Sequence, residues 1–344
     1  MVEAVVVDDS HFMRAQIRKV LEEGGVTVVG EARNGVEAIE AVHEHEPDIV
    51  TMDVKMPGMD GIEAVERIME TRPTPVLMLS RYTDGRASTT FEALEAGAVD
   101  VFMKPDGEVS PTLAQYATDL VEKVTVVARA DVSEPGSSAV EPKNRETGQQ
   151  QTSSPPTIVI AASTGGPPEV QSILTSLPPT LDCRVLVVQH MPENFTGRFA
   201  TRLDALSDLA VFEASSSGTV GPNEAVVARG DHHLEVRGDD GTEIQFALTG
   251  DEPVHSVRPA ADITFESVAT VCTPPLVGIV LSGMGADGAT GVEQLSNAGG
   301  TVIAQEPESA SISAMPQRAI ETGAVDDVLP VSEMPEAIID AVTE

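Results

Sequence analysis

Short apolar runs ending in polar or charged residues alternate along this chain with segments of helical spacing. The first run, Ala4 to Val7, delivers Asp8, Asp9 and Ser10. His11 to Glu23 then places Phe12, Ile17, Val20 and Leu21 at helical intervals. A second strand is predicted at Val26–Gly30 and a helix at Val36–Glu44. A third strand, beginning after Pro47, ends in Asp53. Asp60–Met69 reads as a helix, Pro75–Leu79 as a strand ending at Ser80, and Ala98–Met103 as a strand ending at Lys104 and Pro105. Five strands alternating with helices predict a parallel sheet with right-handed crossovers.

The pattern restarts at Thr157. Small and β-branched apolar residues run into Ser163-Thr164-Gly165-Gly166, and Glu169 to Leu177 follows with helical spacing. This strand–turn–helix sequence puts Ser163 at the carboxyl end of a buried strand, where open α/β sheets bind their ligands. Val185 to Gln189 is a second buried strand, delivering His190, and Asn194 to Leu206 is helical. Residues 210–248 alternate more and carry Gly and Asp turns, which predicts small antiparallel strands. Val254–Val271 reads as one helix. Leu276–Leu281 is a strand running into Ser282-Gly283-Met284-Gly285-Ala286-Asp287-Gly288. A helix around Glu293–Asn297, a strand at Thr301–Gln305 and a last helix from near Pro335 complete a second, mostly parallel α/β sheet. Between the two patterned regions, Asp131 to Pro156 is rich in Ser, Pro, Gln, Thr and Glu and lacks an apolar run, so it cannot bury enough surface to offset its ordering entropy. The predicted organisation is a domain at 1–123, a flexible linker at 124–155 and a second domain at 156–344.

Charge narrows the partners. The chain has 55 acidic and 21 basic residues, a formal charge of −34, and the acid is spread throughout. Such a surface suits a very salty cytoplasm, where self-repulsion is screened and hydration keeps the protein soluble. It offers no basic stripe for nucleic acid and no attraction to anionic membranes. The chain opens directly into a strand and contains no apolar run of spanning length, so neither a signal peptide nor a membrane span is expected. Cys183 and Cys272 have no metal-like spacing and read as buried thiols in a reducing compartment.

The chemistry gathers at predicted strand ends. Asp8, Asp9 and Asp53 fall on one rim, where crowded carboxylates repel unless a cation joins them; few protein ligands, all oxygen, suit Mg²⁺. Ser80 and Lys104 reach the same rim and could grip a phosphoryl group placed on a carboxylate. Singly, each Asp reads as a cap or turn residue. In the second domain Ser163, His190 and Asp287 can converge. A serine hydroxyl becomes a useful nucleophile when an imidazole removes its proton, and the imidazole needs a carboxylate to fix its tautomer. Glycines nearby let backbone N–H groups approach a developing oxyanion. Ser163 alone could be a helix cap. Metal binding by His190 lacks a second ligand at ligand spacing. The pairs His43/His45 and His232/His233 read as solvated surface residues. The order Ser, His, Asp differs from the α/β-hydrolase order of Ser, acid, His.

Two resemblances follow from these motifs. Val7-Asp8-Asp9-Ser10, the stretch from Met52-Asp53 to Asp60-Gly61, Leu79-Ser80 and Met103-Lys104-Pro105 resemble the receiver domain of two-component response regulators, a flavodoxin-like fold. That resemblance implies phosphorylation of Asp53 by a histidine kinase. It implies Mg²⁺ held by Asp8, Asp9 and Asp53 with the Lys55 carbonyl in support, and phosphoryl contacts from Ser80 and Lys104. One departure is that Val101 stands where many receivers carry an aromatic switch residue; Phe102 is one place off. The second domain resembles the chemotaxis protein-glutamate methylesterases of the CheB family. The motifs are Ala161 to Pro167, Val188 to Thr196, His255 to Asp262 and Ser282 to Gly288. This implies hydrolysis of methyl esters on glutamates of chemoreceptor cytoplasmic domains, and deamidation of receptor glutamines. Ser163 would be nucleophile, His190 base and acid, and Asp287 its orienter. The Met284 N–H and a group at Thr164 would form the oxyanion hole. No cofactor is implied for the esterase step. The enzyme is expected in the cytoplasm, with the unphosphorylated receiver covering the triad. A DNA-binding regulator would need a basic recognition helix, whereas the second domain holds seven Arg and no Lys. A catalytically dead docking adaptor would have no use for the Ser/His/Asp set.

Overall fold

In a computed structural model the described residues are 1–81, 92–94, 96–104, 117–130, 132 and 154–343, the side chains of Arg81 and Met103 excepted. The chain divides into two compact units, Met1–Ser137 and Ser138–Glu344.

The first unit is a five-stranded sheet, β1 (Glu3–Val7), β2 (Thr27–Ala32), β3 (Ile49–Asp53), β4 (Val76–Arg81) and β5 (Asp100–Lys104). Its order is β2-β1-β3-β4-β5 and every pairing is parallel. Around it run α1 (His11–Glu23), α2 (Gly35–His45), α3 (Gly61–Thr71) and α4 (Ala117–Val127). The helix starts are written in the sequence: Ser10, Asn34 and Asp60 each accept a first-turn backbone N–H with the side chain. Val5, Val6, Val7, Val50 and Met52 are buried, as a sheet covered on both faces requires. Helix α4 extends to Val127, within the helix-like residues that run on to Ala130 before the polar stretch begins at Asp131; most of that stretch lies outside the described residues, as does Pro105.

The second unit holds a seven-stranded, all-parallel sheet in the order β15-β14-β13-β6-β7-β10-β8. Its strands are β6 (Thr157–Ala162), β7 (Arg184–Gln189), β8 (Ala210–Glu213), β10 (Glu224–Val227), β13 (Leu276–Val280), β14 (Thr301–Gln305) and β15 (Asp327–Leu329). A separate antiparallel sheet joins β9 (Ser217–Val220), β11 (His233–Asp239) and β12 (Ile244–Thr249). The helices are α5 (Gly166–Ser176), α6 (Glu193–Leu206), α7 (Ala261–Val271), α8 (Ala289–Asn297), α9 (Ala314–Glu321) and α10 (Met334–Thr343).

Three expectations change. Residues 210–248 are not all antiparallel: β10 pairs in parallel with β7 and β8 with β10, and their buried Val and Ala side chains suit a sheet covered on both faces. The helix predicted from Val254 begins only at Ala261, because His255 and Ser256 are left-handed, at φ 52° and 64°, which no helix accommodates. His233 is buried, not solvated: its Nδ1 accepts the Ala260 N–H at 3.1 Å and its Nε2 faces the Glu252 carbonyl at 3.2 Å. Both cysteines are buried as expected, and burial pushes each thiol up to about 12. Arg184, wholly buried, grips Asp239 through two nitrogens and so ties β11 to the main sheet.

Candidate functional site

Each unit carries a polar cluster at the carboxyl rim of its sheet. In the first, β1 and β3 are neighbours, so Asp8 and Asp53 come together although 45 positions separate them in the chain. Lys104, at the end of β5, donates from Nζ to Asp8 Oδ2 and Asp53 Oδ1, both at 2.5 Å. Lys104 and both acids are buried. Burial pushes the Asp53 carboxyl above its ordinary value; Lys104 pulls the other way, and the charges of Asp8 and Asp9 add to the rise. Asp9 is exposed, and Asp8, Asp9 and Asp53 each offer an oxygen, all within 4.8 Å of one another. That all-oxygen donor set fits a hard divalent cation. Ser80 lies near the end of β4, beside the same rim. Phe102 is buried and Val101 half-buried.

In the second unit β6 is flanked by β13 and β7. The chain travels from β6 out to β8, returns to β13 and continues to β15, so the crevice between β6 and β13 is a topological switch point. Ser163 follows β6 and His190 follows β7; the His190 N–H bonds to the Ala162 carbonyl at 2.9 Å, which sets the two residues side by side across one strand spacing, about 4.8 Å. Asp287 is not at a strand tip. It stands beyond β13, in the turn just before α8, and reaches back to the rim.

His190 Nε2 meets Asp287 Oδ2 at 2.7 Å. Three backbone N–H groups also converge on this buried carboxylate: Ala261 at 2.6 Å on Oδ2, and Asp262 at 3.0 Å and Gly288 at 3.1 Å on Oδ1. The first two open helix α7, whose N-terminus favours negative charge. Burial would raise the Asp287 carboxyl, but His190 and these N–H groups outweigh it and hold it below the ordinary carboxylate value. With Nε2 committed to the acid, Nδ1 is the ring nitrogen left for a proton acceptor's role. The Ser163 hydroxyl has no hydrogen-bond partner among the described residues; such bonds commonly tighten only when substrate is bound.

The loops around the serine are packed closely. A Cβ on Gly283 would come within 2.8 Å of Ser163 Cβ and 2.2 Å of Met315 Sδ, so only glycine lets this loop pass the serine. Gly165, at φ 80°, turns the chain into α5. The Ser163 N–H bonds to the Ser282 carbonyl at 2.9 Å, and buried Gln189 donates to the Ser163 carbonyl at 2.8 Å. The Met284 N–H has no acceptor among the described residues, whereas that of Gly283 bonds to Ile312. Thr164 is buried, and its carbonyl accepts the Ser282 hydroxyl at 2.8 Å.

Sequence reasoning assigned no role to several residues here, although His255 and Asp262 bound one of the family-like motifs. His255 pairs with Asp262 at 2.9 Å, and Asp262 in turn accepts the Gly291 N–H. His255, Asp262 and Asp287 lie close enough to suggest a ligand set. Every carboxylate oxygen among them already accepts an N–H, so they form a hydrogen-bonded chain behind the rim. Glu169 and Gln305 also reach Ser282. Glu169 carried a weak signal, as an acid in the first turn of a helix that begins at the serine; Gln305, on a buried strand, carried a polar residue where an apolar one is usual.

Comparison with known proteins agrees with both halves. Residues 158–338 match the CheB methylesterase family and residues 4–110 the response regulator receiver domain. A protein-glutamate methylesterase/protein-glutamine glutaminase of Natronomonas pharaonis is 52% identical over 99% of this chain and 98% of its own length. One of Haloarcula marismortui is 48% identical over the same shares. The crystal structure of the Thermotoga maritima CheB methylesterase catalytic domain matches with a TM-score of 0.52 and 38% identity, over 54% of this chain and 98% of that one. The receiver fold of the first unit and the mostly parallel α/β fold of the second are thus both matched: this chain belongs to the CheB family of response-regulator methylesterases.

Proposed function

We propose that this chain hydrolyses γ-glutamyl methyl esters on the cytoplasmic domains of chemoreceptors, releasing methanol, and deamidates receptor glutamines at the same site. The observation that carries the reading is the His190–Asp287 pair standing one strand from Ser163. Asp287 accepts Nε2–H and so keeps the lone pair on Nδ1. Nδ1 takes the Ser163 proton as Oγ attacks the ester carbonyl. The Met284 N–H, which meets no acceptor among the described residues, receives with a group at Thr164 the negative charge on the carbonyl oxygen. Collapse breaks the C–O bond, and the histidine gives its proton to the departing methoxide. Water, deprotonated by the same nitrogen, then cleaves the acyl-serine to free glutamate and Ser163. A primary amide follows the same course with ammonia as leaving group.

Asp53 is the phosphoacceptor for a chemotaxis histidine kinase. Asp8, Asp9 and Asp53 are the residues that would hold Mg²⁺, which when bound neutralises charge during phosphoryl transfer. Lys104 and Ser80 hold the phosphoryl oxygens. The work is cytoplasmic, since the receptor glutamates are; among the described residues no helix is long and apolar enough to cross a membrane.

Methanol release from a methylated receptor, with and without a small phosphoryl donor, tests the whole reading. Release that depends on Ser163 and rises with the donor is expected. Docking on the receptor without methanol release would leave a non-catalytic adaptor instead.

A further inference from the structure

We infer that Glu169 and Gln305 form a clamp on Ser282 that holds the oxyanion loop in register with the nucleophile, Glu169 being a positioning residue. This rests on the esterase reading above.

Ser282 is the hinge between the two loops. Its carbonyl accepts the Ser163 N–H, and its hydroxyl donates to the Thr164 carbonyl and accepts the Ile312 N–H at 2.9 Å. Its own N–H, just past the end of β13, has no strand carbonyl to meet. Two side chains accept it instead: Gln305 Oε1 at 2.7 Å, from β14, and Glu169 Oε2 at 3.1 Å, from α5. Gln305 Nε2 closes the triangle by donating to Glu169 Oε1 at 2.7 Å, and reaches the Ser309 carbonyl at 3.2 Å. One acid thus connects the helix that begins at the nucleophile turn to the strand tip that leads to Met284. Nothing in the acyl-transfer steps uses this carboxyl directly, and a turn at the end of a strand needs no acid to close it.

The charge of the clamp matters as well as its shape. Burial pushes Glu169 up to about 8, against the hydrogen bonds from Gln305 and Ser282. No charged side chain contributes to the shift; Gln305 and Ser282, which touch it, are neutral. Near neutral pH the carboxyl therefore keeps its proton, and no fixed negative charge stands behind a loop that must receive an oxyanion. As pH rises through that value a buried carboxylate appears there and opposes the transition state. The rate should fall.

The test compares Glu169→Gln and Glu169→Ala in the full chain. Two readouts serve: steady-state methanol release, and the rate at which a fluorophosphonate probe labels Ser163. Glu169→Gln removes the titration and keeps the side chain's size and one of its two accepted bonds, from Ser282 or from Gln305, its NH₂ then facing the other donor. It should hold most of the pH 7 rate and lose the decline near pH 8 that the wild type shows in both readouts. Glu169→Ala should lose roughly tenfold to a hundredfold in kcat with KM little changed, the cost of a misplaced loop. A Gln variant that declines near pH 8 like the wild type overturns the inference, and so does a folded Ala variant with wild-type rates. Should the Ala protein not fold, the pH profile of the Gln protein decides alone. Probe labelling without methanol release in the wild type would defeat the substrate reading and leave the clamp standing.

Discussion

The two rims are built on one plan and neutralised in two ways. Each lies at the carboxyl edge of a parallel sheet, at the place where strand order reverses, and each holds a buried aspartate. Around Asp53 the compensation is a single ammonium, Lys104, shared with Asp8. Around Asp287 it is backbone N–H groups from the starts of α7 and α8, plus one imidazole. The carboxyls respond in opposite directions: Asp53 is raised and Asp287 lowered. A side-chain cation is one point charge that must serve two acids, whereas peptide donors surround the oxygens at no cost in side-chain entropy. The first arrangement leaves crowded carboxylates only partly compensated, as the proposed phosphoacceptor and cation site require. The second favours the charged form of an acid that is hydrogen-bonded to a histidine, as the proposed triad requires.

Variants can break this contrast. The largest effect is expected from Ser163→Ala, which should lower methanol release by about 10⁶-fold while far-UV circular dichroism is retained. Full activity in that variant would falsify the triad reading. Asp287→Asn should cost about 10⁴-fold in kcat by allowing the wrong imidazole tautomer. Its NH₂ would also confront backbone N–H groups, and leaving a buried donor unpaired destabilises by about 1–3 kcal/mol in denaturant titration. If the Asn protein were equally stable, the backbone cradle would not be what holds this acid. Lys104→Ala should destabilise the receiver by about 3–5 kcal/mol in metal-free buffer, since two buried acids lose their counter-charge. Mg²⁺ should restore stability to this variant more than to the wild type; equal gains would argue against a cation among Asp8, Asp9 and Asp53.

The smallest expected effects are in acid. Asp287 has a depressed folded value, so its contribution is present above the ordinary carboxylate value and fades as pH falls through the folded one. Asp53 has a raised folded value, so its contribution is fullest below the ordinary value and is lost as pH climbs through the folded one. Stability curves of Asp287→Asn and Asp53→Asn against the wild type in metal-free buffer should therefore diverge from it on opposite pH slopes. Parallel slopes would erase the distinction between the rims.

The alternation of apolar runs determined the five-stranded first sheet, the core of the second, and the residues at their edges. Strand and helix periodicity is local, and a residue following a buried run must emerge at the sheet's end. Ser163, His190, Asp8 and Asp53 were legible for that reason. What the sequence could not determine was everything that depends on contacts between distant segments. Asp287 reaches the rim by a turn and not from a strand tip, because Gly288 and α8 fold it back. His233 is buried because α7 starts late and lays Ala260 against its ring. β8 and β10 look like short surface strands, yet they join the parallel sheet because the edge of β7 was open to them. The Glu169–Gln305–Ser282 triangle joins residues as many as 136 positions apart, and no local pattern announces it. Hydrophobic periodicity is a property of neighbours in sequence; hydrogen-bond satisfaction of buried polar groups is a property of neighbours in space, and only the folded chain supplies those.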